Sequence, residues 1–71
     1  MLEFIQGELV SKSANYVVMQ AGGLGYRLQV SAFTLNALPP VKNETMLYTY
    51  LYIREDDISL YGFKTEEEKE L

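Results

Sequence analysis

The feature that most constrains this chain is an alternation of period two. In "LGYRLQVS", residues 24 to 31, Leu24, Tyr26, Leu28 and Val30 fall on one side of an extended chain. Gly25, Arg27, Gln29 and Ser31 fall on the other. A helix repeats its faces every 3.6 residues or about that, so this pattern predicts a half-buried strand instead. Ahead of it "NYVVMQ" is β-branched and aromatic and reads as a second strand. Between them lies "AGGLG", where Gly22 and Gly23 can take the positive φ of a two-residue hairpin loop. Residues 15 to 31 are therefore expected to form a β-hairpin.

The other segments follow the same logic. "MLEFIQGELVSK" is strand-like, and Gly7 in its middle suggests a bulge or a sharp bend of the kind that turns a barrel corner. "SANY" turns the chain into the hairpin. In "FTLNALPP" the period changes: Ala32, Leu35 and Leu38 have helical spacing and Pro39 stops a helix, so a short helical or irregular connector is expected, ending in the polar loop "PVKNE". "TMLYTYLYI" is a long strand with Met46, Tyr48, Tyr50 and Tyr52 on one face and Leu47, Leu51 and Ile53 on the other. Apolar residues on both faces mean that it is central or covered by a partner. "ISLYGF" is a fifth strand. Thr65 and Glu68 fit a capping box, Thr-x-x-Glu, which opens a helix. Only Leu71 offers that helix a strong apolar residue, and so short a helix without an apolar stripe does not hold in water. The expectation is a chain that continues past Leu71, with a domain at 1–64 and the start of a helix at 65–71. The fold class expected is all-β: a five-stranded OB-fold Greek-key barrel with the start of a C-terminal helix. An SH3-like barrel is the alternative, because strand count alone does not separate the two.

Composition narrows the chemistry. The chain has 71 residues, room for one domain, and 48% of them are hydrophobic, an ordinary globular value. It has no Cys and no His, which removes disulfides, thiolate metal sites, the usual general base and the commonest zinc ligand. No apolar run approaches the roughly 20 residues of a membrane helix, and no signal-peptide pattern opens the chain. The net charge is −4, but "TEEEKEL" carries four Glu and one Lys, so residues 1–64 hold only −1. A near-neutral body lacks the basic field of a free-standing DNA binder. No catalytic residue, cofactor or metal site is expected.

Three stretches invite a functional reading. "AGGLGY" suggests a phosphate loop, but a dinucleotide fingerprint opens a helix and here a strand follows, so a tight turn is favoured. Tyr48, Tyr50 and Tyr52 form one stripe on one strand. They suit core or subunit packing better than base stacking, since no basic residue shares the strand to hold a backbone phosphate. "REDD", residues 54–57, allows a solvated hairpin loop, a divalent-metal site without the spaced ligands of an EF-hand, or a hairpin tip presenting fixed negative charge to a polyanion.

"GGLGY" at 22–26, taken with "REDDISLYGF" at 54–63, resembles the N-terminal domain of the RuvA family, the bacterial Holliday junction branch-migration subunits. Gly22, Gly23, Gly25 and Tyr26 match the hairpin motif, and Arg54 opens the second motif. The resemblance covers the whole chain, from "MLEFIQG" to "TEEEKEL", and the pair of motifs at this separation is specific.

The resemblance implies a five-stranded OB barrel in a homotetramer that holds four-way junction DNA open and roughly square-planar. It implies a second domain of helix-hairpin-helix motifs and a third that touches the RuvB ATPase. It assigns ATP-dependent helicase activity to the complex and ATP hydrolysis to RuvB. It places the work in the bacterial cytoplasm, in DNA recombination, DNA repair and the SOS response. It also implies an acidic pin at the turn before the last strand, here Glu55 and Asp56, which guides DNA strands by repelling phosphates. Asp57 departs from the pattern, where members often have a small neutral residue; it either extends the pin or faces solvent. Tyr48, Tyr50 and Tyr52 are candidate interface residues. Two competing expectations stand beside this one: an independent OB-fold module for single-stranded nucleic acid, and a plain oligomerisation domain.

Overall fold

In the computed structural model, which describes residues 3–70 apart from the side chains of Glu68 and Glu70, every alternating segment is a strand. The elements are β1 (Phe4–Lys12), β2 (Tyr16–Ala21), β3 (Leu24–Gln29), α1 (Ala32–Ala37), β4 (Glu44–Ile53), β5 (Ile58–Phe63) and α2 (Glu66–Glu70). Gly22 (φ 59°) and Gly23 (φ 82°) make the two-residue loop after the Ala21–Leu24 pair. Positive φ at both loop residues gives the twist that two right-handed strands need.

The strands close into a barrel in the order β1-β2-β3-β5-β4. With a helical connector between β3 and β4, this is the OB-fold arrangement. β1 serves two neighbours: Phe4 to Glu8 pair with β4, and Glu8 to Lys12 pair with β2. Gly7 sits at the handover, where a Cβ would run into the carbonyl oxygen of Gln20 on β2. The closing seam, between β3 and β5, is parallel and rests on one pair, Gln29 with Tyr61.

The core is the inward half of each alternation: Ile5, Leu9, Val17, Met19, Leu28, Val30, Leu38 and Leu47. Each such side chain contributes about 1.5–3 kcal/mol over leaving it in water. Thr34 and Thr49 are buried among them. Thr34 is held by hydrogen bonds: its amide donates to Ser31 Oγ, the N-cap of α1, at 3.2 Å, and its hydroxyl accepts from the Lys64 amide at 3.2 Å. These bonds satisfy the polar atoms that burial would otherwise leave costly.

Three details differ from the expectations. The register irregularity of β1 falls between Leu9 and Ser11, so the extra residue is the exposed Val10; Gly7 serves close strand approach instead. The backbone groups of Leu9 turn to the loop before β4, its amide to Asn43 O (2.9 Å) and its carbonyl to the Lys42 amide (2.6 Å). In α1, Ala32 is exposed and Thr34 is the residue buried with Leu38, because capping by Ser31 fixes which side of the single turn faces inward. In β4, Thr49 occupies the inner face while Ile53, on the same alternation, lies beyond the barrel and is exposed. Of the expected capping box, Thr65 O accepts from the Lys69 amide at 3.3 Å, and the Glu68 side chain lies outside the described residues, as does Leu71. Lys69 Nζ also reaches Glu3 Oε2 at 3.4 Å, which joins α2 to the start of β1.

Candidate functional site

β4 and β5 are paired from Tyr48–Phe63 to Ile53–Ile58, and the chain reverses at "REDD". Arg54 and Asp57 face each other there. The Arg54 amide donates to Asp57 O at 2.7 Å, and the Asp57 amide donates to Arg54 O at 3.4 Å. The loop proper is thus only Glu55 and Asp56. Neither has positive φ, so the loop is not the I′ turn used by Gly22 and Gly23. Both side chains are exposed at the tip, and among the described residues no Lys or Arg nitrogen lies at ion-pair distance from either.

The neighbouring charges are otherwise engaged. The Arg54 guanidinium lies over the Tyr52 ring, 4.9 Å from its centroid, a cation–π contact. Asp57 Oδ2 accepts a hydrogen bond from Ser59 Oγ at 3.1 Å, so the third carboxylate is drawn back along β5. The three carboxylates of the run are therefore not equivalent. Among the described residues no group of three His, Cys, Asp or Glu side chains is placed to hold a metal ion.

The tyrosine stripe lies on the outside of the barrel, opposite the buried Leu47 and Thr49, so it is not part of the core. Tyr48 is half-buried, whereas Tyr50 and Tyr52 are exposed, with ring centroids 6.4 Å apart and planes tilted by 60°. Across β5 they face Phe63, Tyr61 and Ser59 in turn. The two motifs belong to different hairpins. Gly22 and Gly23 form their own turn, and Gly25 is an exposed residue within β3. Tyr26 alone of that motif comes near the second, lining a groove with Arg27, Leu51, Asp57 and Ser59.

Two features were not foreseen. On the outer face of the β2–β3 hairpin, Arg27 lies 4.3 Å from the centroid of the Tyr16 ring. The two are diagonal neighbours in the register that the glycine turn sets, so the pairing was readable once that turn was placed. Ile53 and Ile58 are 67% and 68% exposed and face each other on the last rung below the tip. Nothing in the local sequence says that the β1–β4 ladder has already ended at Tyr48. Chemically, the site offers fixed negative charge on a short rigid hairpin, flanked by apolar and aromatic surface. No helix among the described residues is long and apolar enough to cross a membrane.

The sequence model of the RuvA N terminal domain matches residues 1–62. The chain is 49% identical, over its whole length, to the Holliday junction branch migration complex subunit RuvA of Chlorobium phaeovibrioides, of which it covers 36%. It is 43% identical over 68 residues to the protein of the same name from Acetivibrio thermocellus, covering 96% of this chain and 34% of that one. It is 44% identical over 69 residues to that of Salinibacter ruber, covering 97% of this chain and 34% of that one. The chain spans about a third of the length of the curated relatives it matches.

Proposed function

The chain belongs to the RuvA N-terminal domain family, and on that premise we propose that it is the assembly and strand-steering domain of a Holliday junction branch-migration subunit. In this reading residues 1–64 are the OB-fold domain and 65–71 open a helix leading to a second domain that grips duplex DNA. Four copies assemble around a four-way junction, with the outward Tyr48, Tyr50 and Tyr52 contributing to contacts between subunits. The domain supplies no catalytic group. ATP hydrolysis belongs to the partner motor RuvB, in the bacterial cytoplasm, during recombination, repair and the SOS response.

The observation that carries the reading is the tip. Glu55 and Asp56 form a two-residue loop braced by the reciprocal Arg54–Asp57 backbone bonds, and they have no cation partner among the described residues. Charges so placed cannot bind a phosphate backbone; they exclude it. Four such tips at the centre of a junction keep phosphates out and send separated strands to their exit channels. Glu55 and Asp56 are the pin, and Asp57, tied to Ser59, is secondary to it.

A single-stranded nucleic-acid module is the second reading, favoured by the Arg27–Tyr16 stack on the outer face of β2 and β3. The near-neutral body opposes it, since backbone neutralisation dominates such affinity. A salt-controlled binding titration separates the two. A full-length protein carrying this domain is expected to bind a four-way junction as a tetramer, in preference to duplex, while the isolated chain binds both poorly. Submicromolar binding of single strands or junctions by the isolated chain would overturn the steering reading.

A further inference from the structure

We propose that Ile53 and Ile58 form an apolar step that takes the face of an unpaired nucleobase at the branch point, directly beneath the acidic tip. The inference rests on the junction-steering reading and gives a ligand to a surface that reading leaves unused. Ile53 and Ile58 are the most exposed of the large hydrophobic residues described, at 67% and 68%. They are cross-strand partners on the rung next to the Arg54–Asp57 pair. Lower down, the same sheet face carries Leu47 and Thr49 inside the barrel, so the two isoleucines continue a core-lining surface past the point where the barrel has anything to cover it. β-Branched side chains on a paired strand have few rotamers, so the step has a fixed shape.

The charges beside it select the occupant. A backbone phosphate is repelled by Glu55 and Asp56, just beyond the Arg54–Asp57 pair. The tip of a second copy would bring its own two carboxylates to the same place, and the neighbouring cations, Arg54 and Arg27, are already laid on Tyr52 and Tyr16. A nucleobase avoids both penalties. It is neutral and flat, it presents a face to the isoleucine methyl groups, and an N–H group of its pairing edge can donate to a tip carboxylate. Apolar side chains set against base steps are a general means of unstacking DNA. A pin flanked by such a step would both refuse the backbone and hold the base that has left its pair.

The test uses a full-length protein carrying this domain and a four-way junction with 2-aminopurine at the branch point, whose emission rises when the base unstacks. Wild-type protein is expected to raise the emission on binding. The double variant Ile53→Thr, Ile58→Thr keeps β-branched residues on the strands, and it is expected to lose about half or more of that rise while the tetramer and the junction-to-duplex preference persist. If the double variant fails to fold by circular dichroism, Ile58→Thr alone decides by the same readout. Unchanged emission in a folded, tetrameric variant overturns the proposal, as does absence of any rise with the wild type bound. Dissociation of the variant tetramer also overturns it, by showing a subunit contact instead. Failure of the wild type to prefer junction over duplex is a separate result: it sinks the steering reading and takes this inference with it.

Discussion

Replacing Glu55 with Gln and Asp56 with Asn in a full-length protein should leave the fold intact and raise DNA affinity. Both side chains are exposed at the tip and neither enters an ion pair among the described residues. A stability change within about 0.5 kcal/mol is expected. Removing one negative charge at each of two positions takes the net charge of the 71-residue chain from −4 to −2. At about 6 Å, a carboxylate and a phosphate repel by about 0.7 kcal/mol in water and about 3 kcal/mol at an effective dielectric near 20. The exposure of both tip residues to solvent selects the lower figure. Two carboxylates per tip then give about 1.4 kcal/mol for each phosphate brought that close, about tenfold in Kd at low salt. The gain should be larger for duplex, whose phosphates must cross the centre, than for a junction, whose phosphates go round it. Junction-to-duplex preference should therefore fall. The effect should shrink as salt rises, because the Debye length near physiological ionic strength is about 8 Å, close to the separation itself. Anisotropy titrations of junction and duplex at several salt concentrations, with sedimentation to confirm the tetramer, measure all of this. An intact tetramer with unchanged preference at low salt would refute steering by repulsion and leave "REDD" an ordinary solvated turn.

Other outcomes follow from the same geometry. Asp57→Asn alone should change DNA preference less than either tip substitution, because Asp57 is turned back to Ser59 Oγ at 3.1 Å; an equal or larger effect in the same titration would make it part of the pin. Tyr50→Ser, at a position 47% exposed on the outer face of β4, should weaken assembly of the full-length protein without unfolding the barrel; sedimentation that shows an unchanged tetramer would remove the stripe from the interface. Gly7→Ala places a methyl group against the backbone carbonyl of Gln20, which cannot swing aside as a side chain would. It should cost about 2–3 kcal/mol, or about 10 °C or more in a thermal melt, and a melt within a few degrees of wild type would mean the strands part there at little cost.

Most of the barrel was legible because its strands carry their register in side-chain alternation. "LGYRLQVS" and the Gly22–Gly23 turn fix β2 against β3 with no need of distant information. Where the expectations slipped, the deciding partner lay far away in sequence. Gly7 is required by Gln20, on another strand, and not by anything in its own segment. The hydroxyl of the buried Thr34 is satisfied by the Lys64 amide, thirty residues on, which its own segment does not announce. Ile53 reads as a core residue by alternation, and it is exposed only because the neighbouring strands stop short of it. The acidic run was visible at once, and the resemblance set Glu55 and Asp56 apart from Asp57, but the geometry of that division was not legible. That Glu55 and Asp56 form the loop while Asp57 turns back depends on the Arg54–Asp57 backbone pair and on Ser59, which composition does not encode.

The uneven closure of the barrel has a mechanical consequence. A load on the tip would pass down β4 and β5 together, since these are paired along their whole shared length. β4 hands that load to β1 through the ladder from Phe4–Tyr48 to Glu8–Glu44, where backbone bonds resist it side by side in shear. β5 has only the Gln29–Tyr61 pair to hand it to β3. Under force the barrel should therefore yield first along that seam, as a clasp does, with the β4–β5 arm still hinged on β1, and close again when the load is removed.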